Sequence, residues 1–112
     1  MAFTSSLEII RNVAKITLTG RLDASTATQF RDLVDQAAAQ KVKAVALLLK
    51  DLEYMASAGL RVIVFARQKM GVAVKLYVVA PQDIVRETIE VSGFSQAVVL
   101  LPAYDAAVIE GK

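Results

Sequence analysis

Ser57 carries the one aliphatic hydroxyl in Leu48-Leu49-Lys50-Asp51-Leu52-Glu53-Tyr54-Met55-Ala56-Ser57-Ala58-Gly59-Leu60, and the small residues Ala56, Ala58 and Gly59 leave it unobstructed. Three chemistries are open to it. The hydroxyl can cap the helix that follows, as serine commonly does. It can act as a nucleophile, because Met55-Ala56-Ser57-Ala58-Gly59 partly matches the strand-turn-helix elbow G-x-S-x-G. That match lacks the first glycine, and the 112 residues include no His to take the serine proton. Or it can accept a phosphoryl group on a surface where charge decides binding.

Asp23, in Gly20-Arg21-Leu22-Asp23-Ala24-Ser25-Thr26, has a similar ambiguity between capping a helix and contacting a partner. Arg61 lies one turn into the helix that Ser57 opens and is either a solvated break in its buried face or a rim charge, the second reading being preferred. Tyr54 and Met55 read as packing beneath the turn. Arg86, Glu87 and Glu90 read as an exposed charged face with no assigned function.

Composition narrows the classes. With no Cys and no His, disulfides, thiolate chemistry, the usual zinc ligands and the usual neutral-pH acid/base are all removed. The expectation is a non-enzyme with no metal and no cofactor. The formal charge of +2 comes from dispersed Lys and Arg, and Trp is absent, so the basic and aromatic platform of a nucleic-acid binder is missing. Lys50, Asp51, Arg61, Arg67, Lys75 and Asp83 interrupt every apolar run, so no segment suits a membrane span. The start, Met1-Ala2-Phe3-Thr4-Ser5-Ser6, lacks the basic and apolar regions of a secretory signal, which predicts the cytoplasm. The length accommodates a single domain over residues 1–112.

Periodicity then supplies the elements that must hold these residues. Leu7 to Ile10 and the alternating Val13 to Thr19 form an antiparallel hairpin around Arg11-Asn12. Phe30, Leu33, Val34, Ala37 and Ala38 recur at helical spacing up to Lys41, in a helix starting near Asp23 or Ser25. Ala44 to Leu49 is continuously apolar, as in a strand covered on both faces. A helix spans Ser57 to Met70 and ends at Gly71. Val72 to Val79 reads as another buried strand. Pro81 opens a third helix carrying Val85 and Ile89. Gly93 closes it in a left-handed conformation that brings Phe94 against Ile89. Ala97 to Leu101 is a short strand, and Tyr104 to Glu110 a terminal helical segment. The class is α/β: a mixed sheet with an N-terminal antiparallel hairpin followed by βα units, helices packed on the sheet.

On Gly20-Arg21-Leu22-Asp23, on Leu48 to Leu52 leading into Tyr54-Met55-Ala56-Ser57-Ala58-Gly59-Leu60-Arg61-Val62, and on Val91-Ser92-Gly93-Phe94, the chain resembles a stand-alone STAS domain of the anti-sigma factor antagonist type. In that family the turn typically reads Asp-Ser-Ser/Thr-Gly-Leu, and its first serine is phosphorylated by a kinase that doubles as the anti-sigma factor. The resemblance puts that role on Ser57. Ala56 and Ala58 replace the family's Asp and second hydroxyl residue, which alters the charge and hydrogen bonding that would orient the phosphoacceptor.

The implied switch is partner exchange. The unmodified protein docks through Asp23, Ala24, Ser25 and Thr26 and through Ala56, Ser57, Ala58, Gly59, Leu60 and Arg61 onto an anti-sigma factor/serine-protein kinase. Phosphate on Ser57 blocks docking, and a PP2C-type phosphatase resets it. The alternative is a small-molecule sensor in which the same strand-end rim binds a nucleotide or other anion. The oligomeric state, including a homodimer, is left open.

Overall fold

The protein is described by a computed structural model covering residues 2–111. β1 (Thr4–Ile10) and β2 (Val13–Leu22) pair antiparallel from Thr4↔Thr19 to Ile10↔Val13. Arg11 and Asn12 join them with φ of 51° and 67°. Two successive positive φ values are what a two-residue type I′ turn needs to match the twist of its strands.

β2 then serves several neighbours. Its first half pairs in parallel with β3 (Ala44–Leu48), and its end pairs in parallel with β4 (Leu52–Met55). The change of partner occurs at Gly20, where the register shifts. Gly20 has φ of 84° and donates its amide to the Asp51 carbonyl (3.1 Å). A Cβ there would lie 2.5 Å from the Ala2 carbonyl oxygen, so both the bend and the crossing of the N-terminal segment require glycine.

The remaining elements are α1 (Ala27–Ala39), α2 (Ser57–Met70), β5 (Lys75–Val79), α3 (Asp83–Val91), a 3-10 turn at Phe94–Gln96, β6 (Val99–Leu101) and α4 (Ala106–Glu110). The sheet order is β1-β2-β3-β5-β6, with β4 added beside the end of β2. Every pairing after the hairpin is parallel. This is the expected mixed sheet with βα units.

Alternation along the strands sorts the core into two layers. Ala14, Ile16, Leu18, Val45, Leu47 and Val78 face α1, α2 and α3, meeting Phe30, Val34, Ile63, Val85 and Ile89. The alternate positions Val13, Ala44, Ala46, Tyr77 and Val79 form a smaller cluster with Ile109 of α4. β3 is therefore buried on both faces, as its unbroken apolar run predicts. Phe30 is the largest fully buried side chain, and truncating such a residue to alanine costs about 3–5 kcal/mol.

Several expectations need correction: the strand expected from Val13 to Thr19 continues to Leu22, the one expected from Ala97 begins at Val99 after the 3-10 turn, and the terminal helix expected from Tyr104 begins at Ala106. Leu52–Met55 is a strand of its own; the sequence reading passes directly from β3 into the next helix. The strand expected over Val72 to Val79 begins only at Lys75, and Val72 is 98% exposed. The cause is Arg67, whose guanidinium takes the Gly71 and Val74 carbonyls and turns that segment back onto α2 instead of along β3.

Pro81 precedes α3 rather than opening it, because Gln82 occupies the N-cap position and spends its side-chain amide on the Lys50 carbonyl (2.9 Å). The helix expected to start near Asp23 or Ser25 begins at Ala27 with Thr26 at its N-cap position. By contrast, Gly93 is left-handed (φ 84°) and Phe94 packs against the core that holds Ile89, both as expected. The Ser92 hydroxyl relays that helix end, donating to the Ile89 carbonyl (2.7 Å) and accepting the Phe94 amide (3.3 Å). Among the described residues, no helix is long and apolar enough to cross a membrane.

Candidate functional site

Pairing of β2 with β4 sets Leu22 opposite Met55, and the Ala56 amide donates to the Leu22 carbonyl (2.8 Å). The residues that follow each strand, the Asp23–Thr26 loop and the Ala56–Gly59 turn, therefore leave the sheet side by side. Both segments singled out in the sequence form one surface. Leu22 and Met55, which hold them together, are buried at 0% and 3% exposure. Tyr54 is half-buried beneath the Arg21 guanidinium, 4.3 Å from its ring centroid, so the expected packing role of the pair holds.

Asp23 shapes its own loop. Its carboxylate accepts the Ser25 amide (3.0 Å), the Ser25 hydroxyl (2.7 Å) and a longer contact from the Thr26 hydroxyl (3.3 Å). Its carbonyl accepts the Thr26 and Ala27 amides (3.1 and 2.9 Å). Thr26 closes the turn by accepting the Asp23 amide (2.9 Å) and donating to the Arg21 carbonyl (3.1 Å). This is an aspartate-stabilised turn ahead of α1 rather than a helix cap. The Ser25 hydroxyl, followed by the backbone donors, holds the Asp23 carboxyl below its ordinary value of 3.8. Ala24 and Ser25 are exposed, Asp23 and Thr26 half-buried.

Ser57 does not cap α2. The N-cap position belongs to Ala56, in extended conformation (φ −81°, ψ 171°), and no side chain caps the helix. Ser57 is the first helical residue, exposed, and its hydroxyl has no hydrogen-bond partner among the described residues. The Ala56 carbonyl accepts Gly59 and Leu60 (2.9 and 3.3 Å), while the amides of Ser57 and Ala58 have no preceding turn to bond to. No acidic residue lies in the first turn, and exposed Arg61 stands one turn further on. A negative group on Ser57 would meet free N–H donors, the positive helix end and a cation at i+4.

The neighbours divide by role. Ala56 and Ala58 are half-buried and add no bulk to the surface. Gly59, expected in the contact set, is instead buried: a Cβ there would lie 2.6 Å from Leu22 Cδ2 and 3.0 Å from Met55 Cγ. It seats α2 on the strand ends. Leu60 is half-buried and turns toward α3, where it borders a shallow depression with Ile84 and Val91.

On the other side, Ala58 and Arg61 join Thr28 and Arg31 of α1 around a groove of about 200 Å³, with Arg31 stacked 4.1 Å from the Phe65 ring centroid. The sequence reading missed Thr28 and Arg31. Their signal was the polar i, i+3 spacing just past Thr26. A groove of that size is below the roughly 300–1,000 Å³ of ordinary ligand sites.

Three similarities bear on this geometry. The anti-sigma-F factor antagonist RsfB of Mycobacterium tuberculosis is 27% identical over 84 residues, which are 75% of this chain and 69% of that protein. The crystal structure of an anti-sigma factor antagonist from Mycobacterium paratuberculosis shares the fold with a TM-score of 0.86 at 24% identity, covering 96% of this chain and 92% of the other. Bacillus SpoIIAA in its phosphorylated form shares it with a TM-score of 0.70 at 22% identity over 96% of each chain. The family model described as STAS domain matches residues 4–107, a span from the first residue of β1 into α4 that takes in every element holding Ser57. This chain belongs to the STAS domain family.

Proposed function

We propose that the protein is an anti-sigma factor antagonist that works by partner switching. Unmodified, the face made by Asp23–Thr26 and the first turns of α2 docks on an anti-sigma factor that is also a serine kinase, displacing a sigma factor from it. Phosphate on Ser57 ends that docking, and a PP2C-type phosphatase restores it. The role is binding, with no catalysis by this chain.

The observation that carries the reading is the free, exposed Ser57 hydroxyl on a surface of small residues beside the Asp23 loop. A phosphoserine adds about −1.5 to −2 charges and a bulk that a close-fitting interface on this patch cannot hold without stranding a desolvated anion. The modified protein keeps its fold because the charge lands at the favourable end of α2, where an anion contributes about 0.3–1 kcal/mol. Ala56, in place of the family's aspartate, leaves this first turn without an acidic neighbour. The shallow groove beside Arg61 favours a protein partner over a small anion at this rim.

The test is to incubate the protein with candidate anti-sigma kinases and ATP, map the phosphate by mass spectrometry and measure binding before and after. Phosphate on Ser57 with loss of binding is expected. Phosphate only at other residues, or binding indifferent to it, overturns the assignment.

A further inference from the structure

The sheet has apolar side chains on both faces, but α1, α2 and α3 cover only one of them. On the other, Ile109 of α4 belongs to a cluster with Val13, Ala44, Ala46, Tyr77 and Val79, against which Leu48, Ala80 and Tyr104 pack. At the carboxyl ends of β3 and β5, Lys50 and Asp51 on one side and the segment after β6 on the other border a cleft of about 640 Å³, partly open to solvent. This is within the roughly 300–1,000 Å³ of small-molecule sites, and strand carboxyl ends are where open α/β sheets place them.

The cavity is built from regular structure. Thr17 pairs with Leu48 and Leu48 with Val79, so three adjacent strands lay a continuous floor in register. Ala80 forms one wall with φ of 55°, a conformation a Cβ disfavours, and its amide is bonded to the Leu101 carbonyl (2.8 Å). Pro102, Ala103 and Tyr104 form the roof. Tyr104 is anchored there because its hydroxyl donates to Glu110 (2.6 Å) and the Lys15 ammonium sits 4.2 Å from its ring centroid.

The lining carries no net formal charge. Its formal charges are Lys50 and Asp51, adjacent in sequence and opposite in sign. Thr17 supplies a hydroxyl from the floor, and that hydroxyl has no hydrogen-bond partner among the described residues. An ionic head seated on Leu48 and Val79 would lose part of its water with no net opposite charge in the lining to offset the loss.

We propose that this cavity binds a small uncharged amphiphile, its alkyl or aryl body on Leu48 and Val79 and its hydroxyl or carbonyl oxygen bonded to Thr17. The site is separate from the Ser57 turn and does not depend on the docking role.

The test is amide chemical-shift titration of the full chain with 1-octanol, with octanoate and octylammonium as arms of the same tail length. Saturable shifts at Thr17, Leu48, Ala80 and Ala103 are expected with octanol, and binding about tenfold weaker with either ion. Thr17→Val keeps the branched shape and removes the hydroxyl, and it should weaken octanol about three- to tenfold. Ala103→Trp, at an exposed roof position, should abolish binding while the spectrum stays that of the folded protein.

No saturable shift, shifts centred on the exposed Ile84 and Val91 of α3, or unchanged affinity in Thr17→Val would each overturn the proposal. So would the same amides shifting on simple concentration of the protein, which would give the cleft to a second copy of the chain.

Discussion

Gly59 and Leu22 are in such close contact that a Cβ on the glycine would lie 2.6 Å from Leu22 Cδ2 and 2.9 Å from Leu22 Cγ. Leu22 is fully buried, pairs with Met55 and accepts the Ala56 amide, so it cannot withdraw without disturbing the strand pair that positions both loops. Helix propensity alone makes Gly→Ala favourable by up to about 1 kcal/mol. Overpacking outweighs it here.

Gly59→Ala should therefore lower stability, by about 1–3 kcal/mol in urea unfolding. In a Leu22→Ala background the added methyl finds room, and the cost should shrink or reverse. Equal costs in both backgrounds would show that the contact is not the cause.

Ser57→Asp separates binding from folding. The carboxylate enters an N-terminal turn with no other acid and with Arg61 at i+4, so thermal unfolding should shift little, and upward if at all. Association with the proposed anti-sigma kinase partner should fall at least about tenfold, an interfacial charge left unpaired costing upward of about 2 kcal/mol. Ser57→Ala should bind as the parent does and resist phosphorylation at this site. A Ser57→Asp protein that binds normally would remove the basis for the switch.

β4 is the strand that the sequence conceals. The alternation of Leu52, Glu53 and Tyr54 is real, with Leu52 buried and Glu53 exposed, but it is too short to distinguish from a turn. Its partner is β2, whose end is freed for pairing only by the bend at Gly20. Strands β2 and β3 were legible because their apolar patterns are longer and local.

The adjacency of Asp23 and Ala56 was not legible in the same way. It is a property of non-local pairing between Leu22 and Met55, and it reached the sequence reading only through family resemblance. Ser57's exposure followed from its small neighbours, yet its freedom from capping depends on Ala56 occupying the N-cap position, a matter of one residue in the helix start. The late start of β5 has the same origin: Val72 and Val74 look like strand residues, but the Arg67 guanidinium claims the nearby carbonyls.

Asp23 gives a prediction in which two substitutions part company. Asparagine retains an oxygen that can accept the Ser25 amide and hydroxyl, so Asp23→Asn should preserve the turn and the unfolding midpoint, whereas Asp23→Ala should lower it. If recognition uses the negative charge, both variants lose partner affinity, and the asparagine variant does so without loss of stability. The pH dependence has a definite sign. The folded carboxyl is held below its ordinary value of 3.8, so its contribution is present above that pH and is lost as pH falls through the lower folded value. A parent protein no more acid-sensitive than Asp23→Asn would contradict this.

Tyr104 makes the opposite case at alkaline pH. Burial first, then its hydrogen bond to Glu110 and the negative charges of Glu110 and Glu8, push its phenol from 10.0 up to about 12. The bond belongs to a clasp that holds α4 to the sheet: Glu110 also meets Arg11 at 3.3 Å, and its carbonyl accepts Lys43 at 2.6 Å. Because the folded value lies above the unfolded one, the stability contributed by the neutral phenol is complete below pH 10 and disappears as pH rises toward 12. An ultraviolet titration should show a tyrosine ionising near pH 12 that is missing from Tyr104→Phe. Between those limits the parent should lose stability more steeply than Tyr104→Phe, a comparison in which lysine deprotonation cancels. Glu110→Gln keeps an acceptor but removes the charge, and should move the ionisation back toward 10.0. If Tyr104→Phe leaves both the titration and the alkaline stability curve unchanged, the clasp does not hold α4 in solution.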